Sequence, residues 1–493
     1  MISPAPMRQP NIVLVMTDQQ RWDALASAGV FPVETPTLDR LCAEGTWFRR
    51  TYAQSPICVP SRMSFFTGRY PHQHGCLDND TSVWPEAPSF VRSLRDSGYH
   101  TAAVGKLHYT WFHDLEIPVS GELLRRFGFD EAVETTGKMS QGNLRASAYS
   151  EHLRDKGLLP AYHQDLMARS EAGPLEAYAR RPSMLDEDDH IDGWVLGRAE
   201  EWLHDVATDK PFFLWVGPPG PHDPFDPPAP WADRYRPEDM PLGPLSYRYP
   251  VESDAISAAI PDASPRQIQE MRTQYLANVS FIDDRVGRLL DVLQQRDLLA
   301  DTWIVYCSDH GEMLGDHRLI WKGQLLDPAI RVPLVMRPPD NWPHPRGRSS
   351  DALVELIDVP ATLLDLAGAQ LPGGQGRSLR PLLEDVTTGG PAVHRETAAA
   401  ELGTRVMVTD GRHKVITTDR AVALDRVFDL ADDPDEECDL VSTDGADLPA
   451  VESLHDIARQ LTASAPADLA TPWRHSTPYQ RWGRNPLREP TVQ

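Results

Sequence analysis

Asn11-Ile-Val-Leu-Val-Met-Thr-Asp18 is a short, continuous apolar run that ends in two polar residues. A run of this length without alternation is typical of a strand buried on both faces, as in a parallel sheet. The same texture returns at 211–216 and at 302–307. These three runs predict the central strands of one sheet, with polar side chains following the first and the last.

Helical patterns lie between the predicted strands. Residues 35–44 predict a helix with Thr37 at its N-cap. Residues 90–98 predict a helix that ends at a glycine, and a long helical pattern runs from 271 to 299. This alternation of strands and helices predicts an α/β fold, a sandwich around a large mixed, mostly parallel sheet flanked by helices.

The character of the sequence changes along the chain and suggests three parts. Residues 1–390 form the predicted catalytic domain, in which the charged stretch at about 112–190 reads as an insertion over the sheet edge. Residues 391–470 contain a predicted β-hairpin and a helix, which indicate a smaller C-terminal α+β domain. Residues 471–493 contain Trp473, Tyr479, Trp482 and several Arg residues, types that are enriched at interfaces, and so predict a contact in a homodimer or homotetramer.

Composition excludes several classes of function. The 493-residue chain carries a formal net charge of −24, which argues against a nucleic-acid partner and requires a local cationic pocket for any anionic substrate. No stretch approaches the ~18 apolar residues of a membrane span, and the first residues carry no signal-peptide pattern. The cysteines are few, odd in number and without C-x-x-C spacing, so they fit a reducing cytoplasm better than a disulfide framework or structural zinc. They are Cys42, Cys58, Cys76, Cys307 and Cys438.

Polar residues that follow two predicted strands suggest a cation site. Asp18 and Gln19 follow the first strand, and Asp309 and His310 follow the strand at 302–307. In open α/β sheets ligands bind beyond the carboxyl ends of the strands, so these side chains are expected to converge. Oxygen donors suit Ca²⁺, Mg²⁺ or Mn²⁺, and the imidazole favours Mn²⁺ among them. Taken singly, Asp18 could instead be a helix cap and His310 a structural histidine.

Residues 58–69 read Cys-Val-Pro-Ser-Arg-Met-Ser-Phe-Phe-Thr-Gly-Arg. A lone cysteine is often a buried, inert thiol. This run, however, resembles the C-x-P-S-R and T-G-R signature of the type I sulfatases, members of the alkaline phosphatase superfamily. Residues 308–317 and the Trp-Lys-Gly at 321–323 are similar to the second signature region of that family, and the resemblance covers about residues 10–440.

The resemblance implies an alkaline-phosphatase-like fold and a specific nucleophile. In that family a maturation enzyme oxidises the cysteine, here Cys58, to formylglycine, whose hydrated aldehyde attacks sulfur with one hydroxyl and expels sulfate with the other. The resemblance also implies one divalent cation, Ca²⁺ or Mn²⁺ ahead of Mg²⁺, with Asp18, Gln19, Cys58, Asp309 and His310 as its ligands. Gln19 stands where many relatives have Asp, a departure that is similar to the choline-sulfatase and phosphonate monoester hydrolase branch.

Further roles follow from the same resemblance, against the alternative that each residue is a surface side chain or surface ion pair. Arg62 would orient the formylglycine. Lys106 would hold its second hydroxyl and the sulfate, and His108 would take the proton during sulfate release.

Three more positions match substrate-binding residues of the family. His222 and Lys322 would bind the sulfate and stabilise or protonate the leaving alkoxide. Asn79 is a further predicted substrate contact. Each of these residues could also be a solvated surface side chain.

Three functions remain in competition at the level of the sequence. The first is a sulfatase that hydrolyses a small organic sulfate monoester through a covalent sulfo-formylglycine intermediate. The second is a phosphonate monoester hydrolase or phosphodiesterase, disfavoured by Lys106 and His108, since that branch tends to carry neutral Tyr and Thr there. The third is a catalytically silent relative that binds anions, disfavoured by the intact Cys58 and Lys322.

Overall fold

The computed structural model describes most of the chain. The described residues are 9–79, 81–84, 86–108, 121–138, 147–172, 181–246, 249, 257–343, 345–384, 393–418, 420–441, 448–463 and 473–474. The tail predicted to make oligomer contacts lies outside the described residues except for 473–474. So do parts of the stretch at about 112–190.

A mixed sheet of nine strands within the described residues organises the fold. The strands are β1 Asn11–Thr17, β2 Thr46–Tyr52, β4 His100–Gly105, β5 Glu131–Glu134, β6 Phe212–Gly217, β8 Thr302–Ser308, β10 Arg331–Val332, β11 Leu334–Arg337 and β12 Arg348–Glu355. Their order in the sheet is β10-β2-β11-β8-β1-β6-β4-β5, and β12 also pairs with β2. Shorter pairs are β3 Thr81–Ser82 with β17 Trp473–Arg474, and β7 Ser257–Ala259 with β9 Leu319–Trp321.

The apolar run that begins at Asn11 forms a central strand of this sheet, β1. All seven residues of β1 are buried, and β1 pairs in parallel with β6 on one side and β8 on the other. In the described part of this sheet, antiparallel pairing is confined to β11, which pairs with both β8 and β2, and to β10, which pairs with β2. The predicted α/β class with a mixed, mostly parallel sheet is confirmed.

Helices cover both faces of the sheet, because alternate residues of the central strands feed two hydrophobic clusters. Ile12 and Leu14 belong to one cluster, Val13 and Val15 to the other. The helices are α1 Pro36–Glu44, α2 Cys58–Thr67, α3 Pro71–His74, α4 Phe90–Asp96, α5 Gly121–Phe127, α6 Ala148–Asp155, α7 Leu159–Glu171, α8 Ile191–Asp205, α9 Ala229–Ala232, α10 Pro265–Gln295, α11 Asp327–Ile330, α12 Asp358–Ala367, α13 Arg380–Glu384 and α14 Pro449–Ala463. Short 3-10 turns lie at Ala26–Ala28, Pro237–Asp239, Leu299–Asp301 and Asp316–Arg318.

A second, antiparallel sheet of four strands follows near the C-terminal end of the chain, in the order β13-β14-β15-β16. Its strands are β13 Ala398–Leu402, β14 Arg405–Thr409, β15 His413–Thr418 and β16 Ala423–Asp429. Helix α14 packs on β14 and β15 through Val451, Leu454 and Ala458. This small α+β unit agrees with the predicted fold class.

Two further short strands complete the described sheets. Strand β5, inside the stretch predicted as an insertion, joins β4 and forms one edge of the large sheet. Strand β17 pairs with β3, close in sequence to Asn79. Among the described residues no helix is long and apolar enough to cross a membrane.

Candidate active site

The carboxyl ends of β1 and β8 bring the predicted residues together. These strands are hydrogen-bonded neighbours from Asn11–Thr302 to Thr17–Ser308, so the residues that follow them emerge side by side. Asp18 and Asp309 come directly after these last paired residues, and both are fully buried.

Helix α2 aims its first residue at the same point. Pro60 is tolerated in the first turn because the backbone N–H that it lacks would have no partner inside the helix. The Val59 N–H is satisfied by Asn79 Oδ1 at 3.0 Å, and Gly68 ends the helix in the left-handed conformation, with φ 65°. All ten residues of α2 are buried. Asn79 therefore holds the start of the helix that presents Cys58; its contact with substrate stays a prediction.

Four side chains form a compact cluster of possible metal ligands. One ligand atom from each of Asp18, Cys58, Asp309 and His310 lies within 4.8 Å of the others. His310 Nε2 is 3.1 Å from Cys58 Sγ, 3.7 Å from Asp18 Oδ1 and 3.6 Å from Asp309 Oδ1. These spacings between donor atoms suit one cation at their centre.

The surroundings of the cluster also fit a cation. His310 Nδ1 donates to the Gly311 carbonyl at 3.0 Å, which leaves the Nε2 lone pair facing the cluster. The outer oxygens of the two carboxylates are held by cations: Asp309 Oδ2 accepts from Arg62 Nε at 2.8 Å, and Asp18 Oδ2 pairs with Lys106. The inner oxygens thus remain turned toward His310.

The amide of Gln19 is oriented by charged neighbours. Its Oε1 accepts from Lys322 Nζ at 2.7 Å, and its Nε2 donates to Glu312 and, at 3.4 Å, to Asp223 Oδ1. Gln19 therefore lies beside the four-residue cluster and is bonded to Lys322, and its role as a metal ligand stays a prediction.

The thiol of Cys58 lies among positive charges. Its Sγ is 3.0 Å from Lys322 Nζ, and Lys106 and His108 are also close enough to act on it. Burial alone would raise the pKa of this thiol, but Lys322, Lys106 and His310, together with a hydrogen bond to His108, hold it well below its usual value. An anion is therefore favoured at position 58 in a chain of net charge −24.

Arg62 and His108 lie against the same site. The Arg62 guanidinium donates to Asp309 and, at 2.7 Å, to the Lys106 carbonyl, so its hydrogen bonds hold the carboxylate and the strand end. It acts on Cys58 through charge. Burial, and the neighbouring Lys106, lower the pKa of His108 to about 4, so this imidazole is neutral at pH 7.

His222 and Lys322 face each other across the mouth of the site. His222 Nε2 is 2.8 Å from Lys322 Nζ, and its Nδ1 is 2.9 Å from Asp223 Oδ1. Burial opposes the charged imidazole, but Asp223 outweighs it and raises the pKa of His222 to about 9. His222 and Lys322 both favour their charged forms. A hydrogen bond of 2.8 Å between His222 Nε2 and Lys322 Nζ, however, holds only one proton between the two nitrogens. An oxygen acceptor within hydrogen-bonding distance of both nitrogens would let each of them keep a proton.

Two carboxylates at the site were not singled out from the sequence. Asp223 bonds His222 and Gln19, and Glu312 accepts from the Leu314 and Trp321 backbone N–H groups as well as from Gln19. Burial raises the pKa of Glu312 to about 7. Asp223 directly follows His222, a candidate proton donor, and this position next to it in the sequence could have identified Asp223 as a site residue.

Comparison with known proteins points to one family. The family model described as "Sulfatase" matches residues 10–369, and that of the N-sulphoglucosamine sulphohydrolase C-terminal region matches residues 315–463. The chain is 29% identical over 452 residues to an arylsulfatase of Clostridium perfringens, a match that covers 88% of this chain and 91% of the relative. It is 28% identical over 450 residues to a choline-sulfatase of Rhizobium meliloti, covering 86% of this chain and 81% of the relative.

Among solved structures, a phosphonate monoester hydrolase of Agrobacterium radiobacter superposes with a TM-score of 0.73. The match covers 92% of this chain and 95% of that one, at 22% sequence identity. At this level of identity the likeness shows the fold, which is shared.

Proposed function

Because the chain belongs to the sulfatase family, within the alkaline phosphatase superfamily, we propose that it hydrolyses an organic sulfate monoester to an alcohol and inorganic sulfate. The observation that carries this proposal is the cationic surrounding of position 58. Lys322 Nζ lies 3.0 Å from Cys58 Sγ, and Lys106 and Arg62 also act on the thiol through their charge, inside a strongly acidic protein. Such a pocket concentrates positive charge where a sulfate ester would react.

We further propose that Cys58 is converted to formylglycine by a maturation enzyme. The hydrated aldehyde would supply one hydroxyl to attack sulfur and a second to release sulfate. Asp18, Cys58 (in its modified form), Asp309 and His310, with Gln19 as a predicted fifth ligand, would hold one Ca²⁺ or Mn²⁺ ion, with Mg²⁺ a weaker candidate. Such an ion supplies Lewis-acid stabilisation of negative charge.

The two histidines support opposite proton roles. His108, with its pKa lowered to about 4, is neutral and suited to accept a proton during sulfate release. His222, with its pKa raised to about 9, is suited to donate one to the leaving alcohol oxygen. Environments that push two titratable groups apart in this way are how one site serves both acid and base chemistry.

The remaining cations would bind and orient. Lys322 lies between Cys58 and His222, where it can hold the sulfate oxygens and the leaving oxygen. Lys106 pairs with Asp18 and would hold the second hydroxyl, and Arg62 would hold Asp309 in place. Asn79 would contribute through the start of α2.

The direct test measures inorganic sulfate released from p-nitrophenyl sulfate, an alkyl sulfate and choline sulfate, beside p-nitrophenyl phenylphosphonate. We expect kcat/KM to be highest for one of the sulfates. A preference for the phosphonate would instead support the phosphonate monoester hydrolase alternative. No turnover of any ester by protein that carries the modification would support the silent anion-binding alternative.

The proposed modification has its own test. The mass of the peptide containing Cys58, from protein made in its own host, should show an aldehyde or its hydrate in place of the thiol. A clean thiol in active enzyme would contradict the formylglycine proposal.

We also propose that the protein forms a homodimer or homotetramer in the cytoplasm. Each chain would consist of a catalytic domain (residues 1–390), a smaller C-terminal domain (391–470) and a tail (471–493). The cytoplasmic location is supported by the five cysteines, none of which is paired in a disulfide. Light scattering tests the assembly, and a monomer at micromolar concentration would contradict it.

A further inference from the structure

The loop that carries His222 is anchored on both sides by contacts that do not involve the next residue, Asp223. Upstream, the Gly220 N–H donates to Asp192 Oδ1 at 2.6 Å, and the Gly220 carbonyl accepts from the Asp18 N–H at 3.1 Å. Downstream, Asp226 Oδ1 accepts from Lys138 Nζ at 3.2 Å. The course of the loop is therefore fixed without the Asp223 side chain.

Asp223 points the other way, into the candidate active site. Its carboxylate is buried and lies 2.9 Å from His222 Nδ1 and 3.4 Å from Gln19 Nε2. Burying a carboxylate is costly unless it is paired. Here its hydrogen-bonding partners are an imidazole and an amide, so the charge that offsets its burial is that of His222 together with nearby Lys322.

The geometry fixes which nitrogen of His222 faces Lys322 and which faces Asp223. With Nδ1 bonded to Asp223, Nε2 is directed at Lys322 Nζ, 2.8 Å away, and Lys322 Nζ is itself 3.0 Å from Cys58 Sγ. A carboxylate behind an imidazole both fixes its orientation and stabilises its protonated form. We propose that Asp223 is a positioning residue that keeps His222 protonated at Nε2 for donation to the leaving alcohol oxygen, an inference that rests on the proposed sulfatase activity.

The proton count of the step closes. The bond between sulfur and the alcohol oxygen breaks, and its electron pair stays on that oxygen while a new sulfur–oxygen bond forms at position 58. One proton passes from His222 Nε2 to the alcohol oxygen, and the attacking hydroxyl releases one proton to solvent. His222 regains its Nε2 proton from solvent, and Asp223 remains a carboxylate throughout.

The substitution Asp223→Asn tests the charge alone. The Asp223 backbone carbonyl also lies 2.9 Å from His222 Nδ1, so the variant keeps an acceptor for the Nδ1 proton and loses the negative charge. The readout is kcat/KM across a series of phenyl sulfates whose phenol leaving groups differ in basicity. Because a positioned acid is worth about 10²–10⁴-fold and matters most for basic leaving groups, we expect the loss to be about 10–100 times larger for phenyl sulfate than for p-nitrophenyl sulfate.

Two control variants separate this role from a structural one. Glu312→Gln removes the charge from the other acceptor of Gln19 Nε2 without touching His222. Asp226→Asn weakens the anchor of the same loop beyond Asp223. For each control variant, any loss in kcat/KM should be the same for all leaving groups, although the two variants can differ in the size of that loss.

The outcomes are distinguishable. An Asp223→Asn variant whose loss is the same for all leaving groups, in an active wild-type background, would overturn the positioning role and leave the sulfatase proposal intact. A wild-type enzyme that carries the modification and releases no sulfate from any ester would overturn the proposed function itself. If Asp223→Asn does not fold, Asp223→Glu, which keeps the charge, should show the wild-type dependence on the leaving group.

Discussion

Two buried lysines, Lys322 and Lys414, lie in opposite surroundings. Lys322 meets a thiol, an imidazole and an amide oxygen at the candidate active site. Lys414, on β15 of the small sheet, meets two carboxylates, Asp327 at the start of α11 and Glu436. We call this second group the junction cluster, since it joins the small sheet to the segment that follows Lys322.

The two regions differ in the direction in which the pKa of the acidic partner is shifted. At the site, cations outweigh burial and hold the pKa of Cys58 well below its usual value. In the junction cluster, burial outweighs the attraction of Lys414 and raises the pKa of Glu436 to about 7. A buried lysine therefore has a different effect in each region. Lys322 stabilises an anion at position 58, whereas the charge of Lys414 is already paired with carboxylates.

The largest expected effect separates two buried thiols. Cys58→Ala should abolish sulfate release, a loss on the order of 10⁴-fold or more, because it removes the proposed nucleophile. Cys307→Ala should retain activity and lower the free energy of unfolding by about 1 kcal/mol, since only packing is lost. Burial raises the pKa of Cys307, as expected for an inert thiol. Kinetics and urea unfolding measure both, and unchanged turnover in Cys58→Ala would contradict the mechanism.

Replacing each of the two lysines by Met should affect a different property, catalysis for Lys322 and stability for Lys414. Lys322→Met should lower kcat/KM by about 10²–10³-fold, because it removes a charge that faces the reacting group. Lys414→Met should lower the free energy of unfolding by about 3–5 kcal/mol, because it leaves buried carboxylates unpaired. Activity per folded molecule should persist in Lys414→Met. A catalytic defect of equal size in both variants would erase the distinction between the two regions.

Metal removal should affect one region and spare the other. A chelator should lower the free energy of unfolding by about 2.7 kcal/mol relative to protein in metal at 100 times its Kd. Asp18→Asn should abolish this dependence on metal, whereas Asp327→Asn, in the junction cluster, should keep it. Calorimetry with and without Ca²⁺ or Mn²⁺ is the measurement, and a chelator effect that survives in Asp18→Asn would place the ion elsewhere.

The smallest effect concerns pH and the junction cluster. The folded chain holds the Glu436 proton up to about pH 7, whereas the unfolded chain releases it near its ordinary value of 4.5. The folded state therefore binds more protons in this window, and its stability falls as pH rises from about 5 to 7. Glu436→Gln cannot ionise, so its free energy of unfolding should rise relative to that of the wild type by about 2 kcal/mol between pH 5 and pH 7. Parallel curves of stability against pH would contradict the assigned shift.

Much of the site could be predicted because its residues follow regular elements or a specific motif. Asp18, Asp309 and His310 converge since β1 and β8 are neighbouring parallel strands, and strand ends can be read from apolar runs. Cys58 was found through its twelve-residue resemblance and not through periodicity. Helix α2 is buried on all sides, so its sequence has no apolar stripe to read.

What escaped prediction depends on contacts between residues far apart in the chain. Thr37 was expected to cap α1, but the helix begins at Pro36, and the Thr37 and Leu38 N–H groups are capped by Asp283 at 3.0 Å and 2.8 Å. A cap supplied from 246 residues away leaves no local signal. Strand β5 reads Glu-Ala-Val-Glu, and a short, charged edge strand resembles a loop in sequence.

The burial of α2 determines when an enzyme could reach Cys58, before or after the domain has folded. Every residue from Cys58 to Thr67 is inside the folded protein, so an enzyme that grips this segment as an extended peptide must arrive before the helix docks. If Cys58 is converted as proposed, the conversion has to take place before the domain has folded. Slower translation or a more abundant maturation enzyme should then yield a larger fraction of active protein from the same gene.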